Sequence, residues 1–359
     1  MILRKKNKSF AALTWAPVFF LVCVTQGMQG LQAQATTARP TPPTRDYDGY
    51  RPESVVNGVQ VQTPELADVI AMEDALPSKA PAVPKRPRRV LVLARARGYS
   101  HSAIPLAAAT VKALGDKTGA WSTDITYDAA DINAANLKRY DLLFLDGTTG
   151  AFLDDAKDPA ATAARKEALL NFVRGGKGLA GIHAAADSYH TGMCCALGKM
   201  LPTPVSEQLH PQGTWPAFNN MLGGIFKWHW IFPQVITVKV DDPKSPLTAM
   251  FHGQEFQIHD ETYTFAQDSF SLKNVHELTS IDYSKMSAAD KAKEPASGRR
   301  TDGNYALSWI RREGNGRVFY TALGHSEHIY AMPTMLAQLL AGIQYALGDL
   351  TADDSPTER

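Results

Sequence analysis

The chain has 359 residues, of which 44% are hydrophobic and 20% are charged, and its formal net charge is +1. This length fits one large or two small domains, and the hydrophobic content excludes a wholly disordered chain. The near-zero charge argues against a nucleic-acid-binding protein, and three cysteines without a Cys-x-x-Cys pair exclude a disulfide scaffold and a zinc finger.

The first 35 residues have the pattern of a secretory signal peptide. Four basic residues precede an apolar stretch from Phe10 to Val24, and Ala33 and Ala35 form a small-x-small cleavage site. The stretch of about 15 residues is short for a membrane span, which needs about 20. We therefore predict cleavage near Ala35, a periplasmic or secreted protein, and no stable membrane span after cleavage. An uncleaved anchor is the alternative.

Residues 36–88 are rich in proline, threonine and basic residues, which is typical of a partly disordered tether. A short helix over residues 64–76 is predicted to dock within this tether. The folded domain is predicted over residues 89–350, and residues 351–359 are predicted to form a disordered tail.

From residue 89 the predicted elements alternate between strands and helices. Strands are predicted over residues 90–94, 124–127, 142–145 and 178–183, with helices over residues 104–114 and 160–173. The first and third strands are continuous apolar runs, which are typical of strands buried on both faces of a parallel sheet. The pattern therefore predicts an α/β fold with a mainly parallel sheet between layers of helices.

The second half of the domain shows a different pattern. Residues 187–230 contain no long periodic segment, and we interpret them as an insertion that shapes a pocket. A strand is predicted over residues 235–240. Residues 308–310 and 317–321 flank a Glu-Gly-Asn-Gly turn, which is typical of a hairpin, and a closing amphipathic helix is predicted over residues 334–347.

Several polar side chains follow the predicted parallel strands, at the edge where open α/β sheets bind ligands. Tyr99 and His101 follow the first strand, Asp146 ends the third, and His183 and Asp187 lie at the end of the fourth. We predict Tyr99, Asp146 and Asp187 as substrate-binding residues. As alternatives, His101 is an ordinary loop histidine and Asp146 caps a turn.

His183 occupies the position at which a nucleophile elbow carries its serine or cysteine. The sequence Gly-Ile-His-Ala-Ala joins a strand of small residues to a helix, but it offers neither a hydroxyl nor a thiol. Covalent acyl transfer is therefore disfavoured, whereas an imidazole can act as a base, an acid or a metal ligand. A buried structural histidine is the alternative.

Two further clusters combine imidazoles with carboxylates or with each other. If residues 258–263 are extended, His259 and Glu261 share one face of the strand and Asp260 lies on the other. His325 and His328 follow the last predicted strand, and they share a face if the next turn is helical.

Neutral imidazoles and carboxylates are suitable ligands for a divalent metal, of which zinc is favoured. We predict His101, His183 and His325 as its ligands, although the spacing matches no known zinc signature. His229 is a further candidate. A site without metal is the alternative.

Four stretches, residues 175–187, 221–226, 259–263 and 316–325, occur in an order that is specific for one family. Together they resemble the ThuA-like (trehalose utilisation) family over about residues 89–349. This resemblance implies a flavodoxin-like, class I glutamine amidotransferase-like three-layer sandwich and a role with trehalose-like disaccharides or their keto forms. His183 replaces the nucleophilic cysteine of the amidotransferases, so glutamine amidotransferase activity is not expected.

We therefore predict an extracytoplasmic protein that processes a small carbohydrate. His183, Glu261 and His325 are the predicted catalytic residues, acting by acid–base chemistry or with a divalent metal. A ketosugar has an acidic C–H beside its carbonyl, and proton abstraction there needs a base and an electrophile. The remaining predicted substrate-binding residues are Trp228, Asp260 and Tyr263.

The alternative is a non-catalytic sugar-binding or assembly module, which the aromatic residues and the tether favour. A degenerate amidase is a third and weaker hypothesis. No nucleotide cofactor and no nucleic-acid partner is expected, and an oligomer is compatible with the sequence.

Overall fold

The computed structural model describes residues 54–56, 59–190, 213–230, 235–296 and 298–358. The predicted signal peptide and the start of the predicted tether lie outside the described residues, as do Cys194 and Cys195. In the part of the chain that is described, no helix combines the length and the apolar character that crossing a bilayer requires.

Strands and helices alternate in the first half, and strands dominate the second. The first-half elements are β1 (Val55–Val56), β2 (Val59–Gln60), α1 (Leu66–Ala75), β3 (Arg89–Leu93), α2 (Ile104–Thr118), β4 (Ser122–Thr126), α3 (Ala134–Leu137), β5 (Leu142–Asp146), α4 (Pro159–Arg174) and β6 (Gly178–Ile182). The second-half elements are α5 (Pro216–Leu222), β7 (Phe226–Trp230), β8 (Val235–Val240), β9 (Phe256–His259), β10 (Thr262–Phe265), β11 (His276–Ile281), α6 (Ala288–Lys293), β12 (Ala306–Glu313), β13 (Gly316–Thr321) and α7 (Pro333–Ala346). Short 3₁₀ helices lie at Ala129–Asp131, His183–Asp187, Ala249–Phe251, Tyr283–Lys285 and Glu327–Ala331.

Among the described residues, nine strands form one sheet in the order β4-β3-β5-β6-β13-β12-β11-β8-β9. The first five are parallel to one another, and the remaining four are antiparallel. Strands β1 and β2 form a separate small ribbon, and so do β7 and β10. The architecture is a three-layer α/β sandwich of the flavodoxin-like type, which confirms the predicted fold class.

Strands β5 and β6 form the centre of the sheet because they are apolar and are covered on both faces. Every residue of β5 and β6 is buried. A Cβ atom at Gly178 would lie 2.4 Å from the carbonyl oxygen of Ala346, so helix α7 packs directly on the start of β6. This close packing fixes the strand whose other end carries His183.

Part of the predicted tether is folded onto the domain. The predicted short helix is α1, which buries Met72 and packs against α2 and residues 327–331. Further along, the Arg88 guanidinium and the Asp349 carboxylate form a buried ion pair. These contacts offset the entropy cost of ordering a proline-rich segment, and composition alone does not reveal them.

The predicted disordered tail also differs from the structure. The Thr357 N–H donates to the carbonyl oxygen of Val275, and the Glu358 N–H donates to that of Leu272. The tail therefore follows the start of β11, and its backbone hydrogen bonds order a segment that is too polar to be recognised from its sequence.

The predicted extended run over residues 258–263 is interrupted. Strand β9 ends at His259 in the nine-stranded sheet, whereas β10 begins at Thr262 and pairs with β7 in a two-stranded sheet. Asp260 and Glu261 occupy the crossing between the two sheets. They therefore do not follow the simple alternation of a strand.

Candidate active site

Four buried side chains from separate segments meet at the carboxyl ends of the parallel strands. They are His101, His183, Glu261 and His325, hereafter the four-residue cluster, and one nitrogen or oxygen of each lies within 4.8 Å of those of the others. His183 Nε2 lies 3.3 Å from Glu261 Oε2, and His325 Nε2 lies 3.9 Å from Glu261 Oε1. The structure thus brings together the residues predicted to be catalytic with those predicted to bind a metal.

His183 is held in a sharp bend directly after β6. Its φ of 46° lies in the left-handed region, which a residue with a Cβ adopts only under constraint. The Tyr320 hydroxyl donates a hydrogen bond of 2.6 Å to the His183 carbonyl oxygen. His183 Nδ1 lies 2.8 Å from the carbonyl oxygen of Ala322, so Nδ1 carries a proton and Nε2 is the atom presented to the cluster.

His101 enters the cluster from the loop between β3 and α2. Its ring centroid lies 4.8 Å from that of His183 and 5.2 Å from that of His325, with edge-to-face geometry in both pairs. The Tyr99 ring packs against its other side at 4.8 Å. His101 Nδ1 is buried and has no hydrogen-bond partner among the described residues.

The adjacent carboxylates of Asp260 and Glu261 have different partners. Asp260 accepts hydrogen bonds from the backbone N–H groups of Gly324 at 2.6 Å, His325 at 3.3 Å and Ser326 at 3.0 Å. It is fully buried. The Asp260 oxygens are therefore occupied in fixing the loop that carries His325, a role that the sequence did not predict.

The β7–β10 ribbon supplies the outer edge of the site. His229 and Tyr263 are paired across this ribbon. His229 Nδ1 lies 3.0 Å from Glu261 Oε1, and the His229 side chain is 33% exposed. The Tyr263 hydroxyl lies 3.1 Å from His183 Nε2. His229 is therefore a solvent-facing group that contacts the cluster, although spacing alone could not join it to Glu261.

The electrostatics of the cluster follow from its burial and its one carboxylate. Burial opposes ionisation of Glu261, but hydrogen bonds from the His183 and His229 imidazoles outweigh it and hold the carboxyl pKa far below its ordinary value. Burial likewise disfavours the charged form of His183, but Glu261 outweighs this effect and raises the imidazole pKa. Each of these two buried groups therefore favours the charged form of the other.

The other two imidazoles of the cluster are neutral at neutral pH. Burial lowers the pKa of His325 to about 4. Burial, together with the neighbouring imidazoles of His183 and His325, lowers the pKa of His101 well below its ordinary value. Burial also raises the pKa of Asp260 to about 6, against the opposing effects of His183 and the Gly324 N–H.

The remaining predicted site residues lie at different distances from the cluster. Asp187 and His190 form a partly exposed pair with 3.0 Å between Oδ1 and Nδ1, and the His190 ring packs on Phe226. Trp228 packs edge-to-face on Trp230 at 4.9 Å and is partly buried. The Asp187–His190 pair therefore reaches Tyr263 through Phe226, whose ring centroid lies 4.6 Å from that of Tyr263, whereas Trp228 packs on Trp230.

Asp146, His259 and His328 do not join the cluster. Asp146 is buried at the end of β5, where burial raises its pKa well above the ordinary value, and its Oδ2 has no partner among the described residues. The His259 and His328 rings face each other at 6.4 Å. His325 precedes the 3₁₀ helix that contains His328, so the expected shared helical face of these two histidines is absent.

The fold and the site together define a class of α/β protein with a histidine at the elbow in place of a catalytic cysteine or serine. The ThuA family model, described as trehalose utilisation, matches residues 89–346. The chain therefore belongs to the ThuA family, whose fold is of the glutamine amidotransferase-like type. No curated protein sequence matches this chain.

Solved structures include two similar proteins. A putative ThuA-like protein from Bacteroides uniformis is 22% identical with a TM-score of 0.53, covering 74% of this chain and 94% of its own. A putative ThuA-like protein from Parabacteroides merdae is 17% identical with a TM-score of 0.48, covering 76% of this chain and 96% of its own. The first of these likenesses supports the fold alone.

Proposed function

We propose that this protein processes a trehalose-like disaccharide or its keto derivative by acid–base chemistry at the four-residue cluster. Membership of a trehalose-utilisation family supports the substrate class. The observation that carries the proposal is the convergence of three imidazoles and one ionised carboxylate at the carboxyl ends of the strands. Open α/β sheets bind their ligands at this edge.

The cluster supplies the electrophile that proton abstraction beside a sugar carbonyl requires. The Glu261 carboxylate, 3.3 Å from His183 Nε2, favours the protonated form of that imidazole, and the Tyr263 hydroxyl lies 3.1 Å from the same nitrogen. Hydrogen bonds from these groups would stabilise the negative charge that develops on a carbonyl oxygen bound here. His325, whose Nε2 lies 3.9 Å from Glu261 Oε1, is the second imidazole that we assign to the acid–base chemistry.

The outer edge of the cluster is where a sugar would enter. His229 is partly exposed and contacts Glu261, and Phe226 connects it to the Asp187–His190 pair. We propose that His229 and Tyr263 move the proton, while the Asp187 carboxylate accepts hydrogen bonds from sugar hydroxyls. The elbow position carries His183, which has neither a hydroxyl nor a thiol, and this is why a glutaminase is not proposed.

The experiment is to follow 3-keto-trehalose by NMR with purified protein, with trehalose, which has no carbonyl, as the comparison sugar. We expect turnover of the keto sugar that falls at least about 100-fold in His183→Ala and in His325→Ala. His252→Asn, which removes an exposed imidazole outside the site, is the control. Full turnover in both cluster variants contradicts the proposal. Calorimetric sugar binding without any product favours the non-catalytic binding module instead.

We also propose that the protein acts outside the cytoplasm. The basic start, the apolar stretch and the Ala33-Gln34-Ala35 site support export. Cell fractionation followed by N-terminal sequencing is the test, and we expect a mature chain that begins at residue 36 in the extracytoplasmic fraction. A full-length chain confined to the cytoplasmic fraction contradicts export.

A further inference from the structure

We propose that His101, His183, Glu261 and His325 form a binding site for one divalent first-row transition-metal ion. This inference deepens the proposed function. Only the role of the ion as an electrophile rests on that function. Ion binding itself requires no sugar. It can therefore be tested separately from turnover.

The distances between the candidate donor atoms are those of a site that can close on one ion. All four donor atoms lie within 4.8 Å of one another. Ligands at about 2.0–2.1 Å from a tetrahedral zinc ion are about 3.3 Å apart. His183 Nε2 and Glu261 Oε2 already have this separation at 3.3 Å, and His325 Nε2 is 3.9 Å from Glu261 Oε1. Small side-chain rotations would therefore complete the set.

Hydrogen bonding around the cluster prepares its ligands. His183 Nδ1 donates to the Ala322 carbonyl, which fixes the ring and leaves Nε2 to face the cluster. Metal-binding histidines typically donate their second nitrogen to a carbonyl or a carboxylate in this way. Asp260 fixes the backbone of His325 through three N–H groups around that residue. These contacts hold two ligands in place from outside the site.

His101 provides an observation that core packing does not explain. Its Nδ1 is buried and has no hydrogen-bond partner among the described residues. Buried polar atoms are almost always satisfied, because desolvation without a partner costs about 1–3 kcal/mol. A metal ion beside Glu261 would provide a partner for this nitrogen if the imidazole ring turned toward it. Packing in an apolar core provides none.

The donor set selects the class of ion. Three imidazole nitrogens and one carboxylate oxygen suit Zn²⁺, Fe²⁺, Co²⁺ or Mn²⁺, whereas Mg²⁺ and Ca²⁺ prefer oxygen ligands. Such an ion would take the place of the proton on His183 Nε2, and with a further coordination position open to substrate it would polarise a carbonyl oxygen as a Lewis acid. The Tyr263 hydroxyl and the His229 imidazole would remain as the groups that hold or move protons at the edge of the site.

The test uses purified full-length protein that has been stripped with a chelator and titrated with ZnCl₂ by calorimetry. We expect one zinc ion per chain. Glu261→Gln, which preserves the side-chain shape, and His325→Ala should each weaken the affinity at least about 100-fold. His252→Asn is the matched control, because it removes an exposed histidine, and it should leave the affinity unchanged. Co²⁺ should give a visible absorption spectrum that Glu261→Gln alters.

The outcomes separate the ion from the sugar chemistry. Absence of saturable zinc binding, or equal affinity in the wild type and in folded Glu261→Gln, overturns the metal site even if sugar turnover is observed. Zinc binding with the expected variant losses supports it even if no sugar is turned over, in which case only the proposed function fails. Circular dichroism of each variant establishes that a lost affinity is not a lost fold.

Discussion

The parallel and antiparallel halves of the large sheet hold their parts of the site by different means. In the parallel half, β5 and β6 are buried throughout, and His183 is placed by the strand end and a strained bend. In the antiparallel half, β8 has exposed positions and Glu261 lies where the chain leaves the sheet. There Asp260, rather than a strand end, connects the crossing to the His325 loop.

This difference shows that the geometry of one site can depend both on the packing of strands and on a few hydrogen bonds. Packing of apolar strands fixes the parallel half, and its loss would affect the whole fold. A few hydrogen bonds to one buried carboxylate connect the antiparallel side to the loop after β13, and their loss would affect this loop, which carries His325. Substitutions in the two halves should therefore separate global stability from site geometry.

The largest effect is expected from Asp260→Ala in the antiparallel half. Three buried N–H groups, those of Gly324, His325 and Ser326, would lose their acceptor. Each unsatisfied buried donor costs about 1–3 kcal/mol, so we expect a loss of about 4 kcal/mol after relaxation. Urea unfolding measures this loss. Zinc titration should also show that the folded variant binds the ion more weakly than the wild type does.

Two further variants sharpen this result. Asp260→Asn keeps one acceptor oxygen and should lose less stability than Asp260→Ala. Asp268→Ala removes an exposed carboxylate and should change the unfolding free energy by less than about 0.5 kcal/mol. If Asp260→Ala behaves like Asp268→Ala, Asp260 does not hold the loop.

The sequence predicts the parallel half of the site better than the antiparallel half. Apolar runs predict β3 and β5, and the parallel topology then places His101 and His183 at one edge. The change of sheet after His259 cannot be predicted, because it depends on pairing with β7, a strand within a segment that has no clear period. The hydrogen bonds of Asp260 depend on this change of sheet. The alternation of side chains along a strand predicted a face for Asp260, but it could not predict its partners.

In the parallel half, Gly178→Ala should reduce stability without changing the site. Its Cβ would lie 2.4 Å from the Ala346 carbonyl oxygen and 3.0 Å from a Leu142 methyl. Overpacking of this kind typically costs about 1–3 kcal/mol, and the backbone partner cannot rotate away. We expect a loss of about 2–3 kcal/mol in urea unfolding, with unchanged zinc affinity of the folded protein. A weakened zinc affinity would show that the two halves are coupled.

The N-terminal ribbon offers a smaller and more local perturbation of the parallel half. Gln60 donates to the Ala94 carbonyl at 2.9 Å and accepts from the Ala96 N–H at 3.0 Å, just before the loop that carries His101. Gln60→Ala leaves both groups without a protein partner, so we expect a loss of about 2 kcal/mol and faster hydrogen exchange at the Ala96 amide. The exposed Gln62→Ala is the control. Unchanged exchange would mean that the ribbon does not support this loop.

The smallest expected effect is a change in the unfolding free energy with pH, caused by Glu277 on the antiparallel side of the sheet. Burial, and then the neighbouring Asp241 carboxylate, raises the pKa of Glu277 to about 8, from an ordinary value of 4.5. The opposing groups are the Asn304 amide, which donates to both carboxylate oxygens, and the Lys239 and Arg300 cations. Glu277 is therefore protonated in the folded protein at pH 7 and ionised in the unfolded chain.

Because the folded state binds a proton that the unfolded state has lost, this carboxyl favours folding fully below about pH 4.5. Its contribution falls by about 1.4 kcal/mol per pH unit as the pH rises toward 8. Glu277→Gln removes that dependence, so the difference in unfolding free energy between the variant and the wild type should change by about this amount between pH 6 and 7. Urea unfolding at the two pH values measures it. A difference that is independent of pH would mean that Glu277 is ionised in the folded protein, and that Asn304 and Arg300 outweigh its burial.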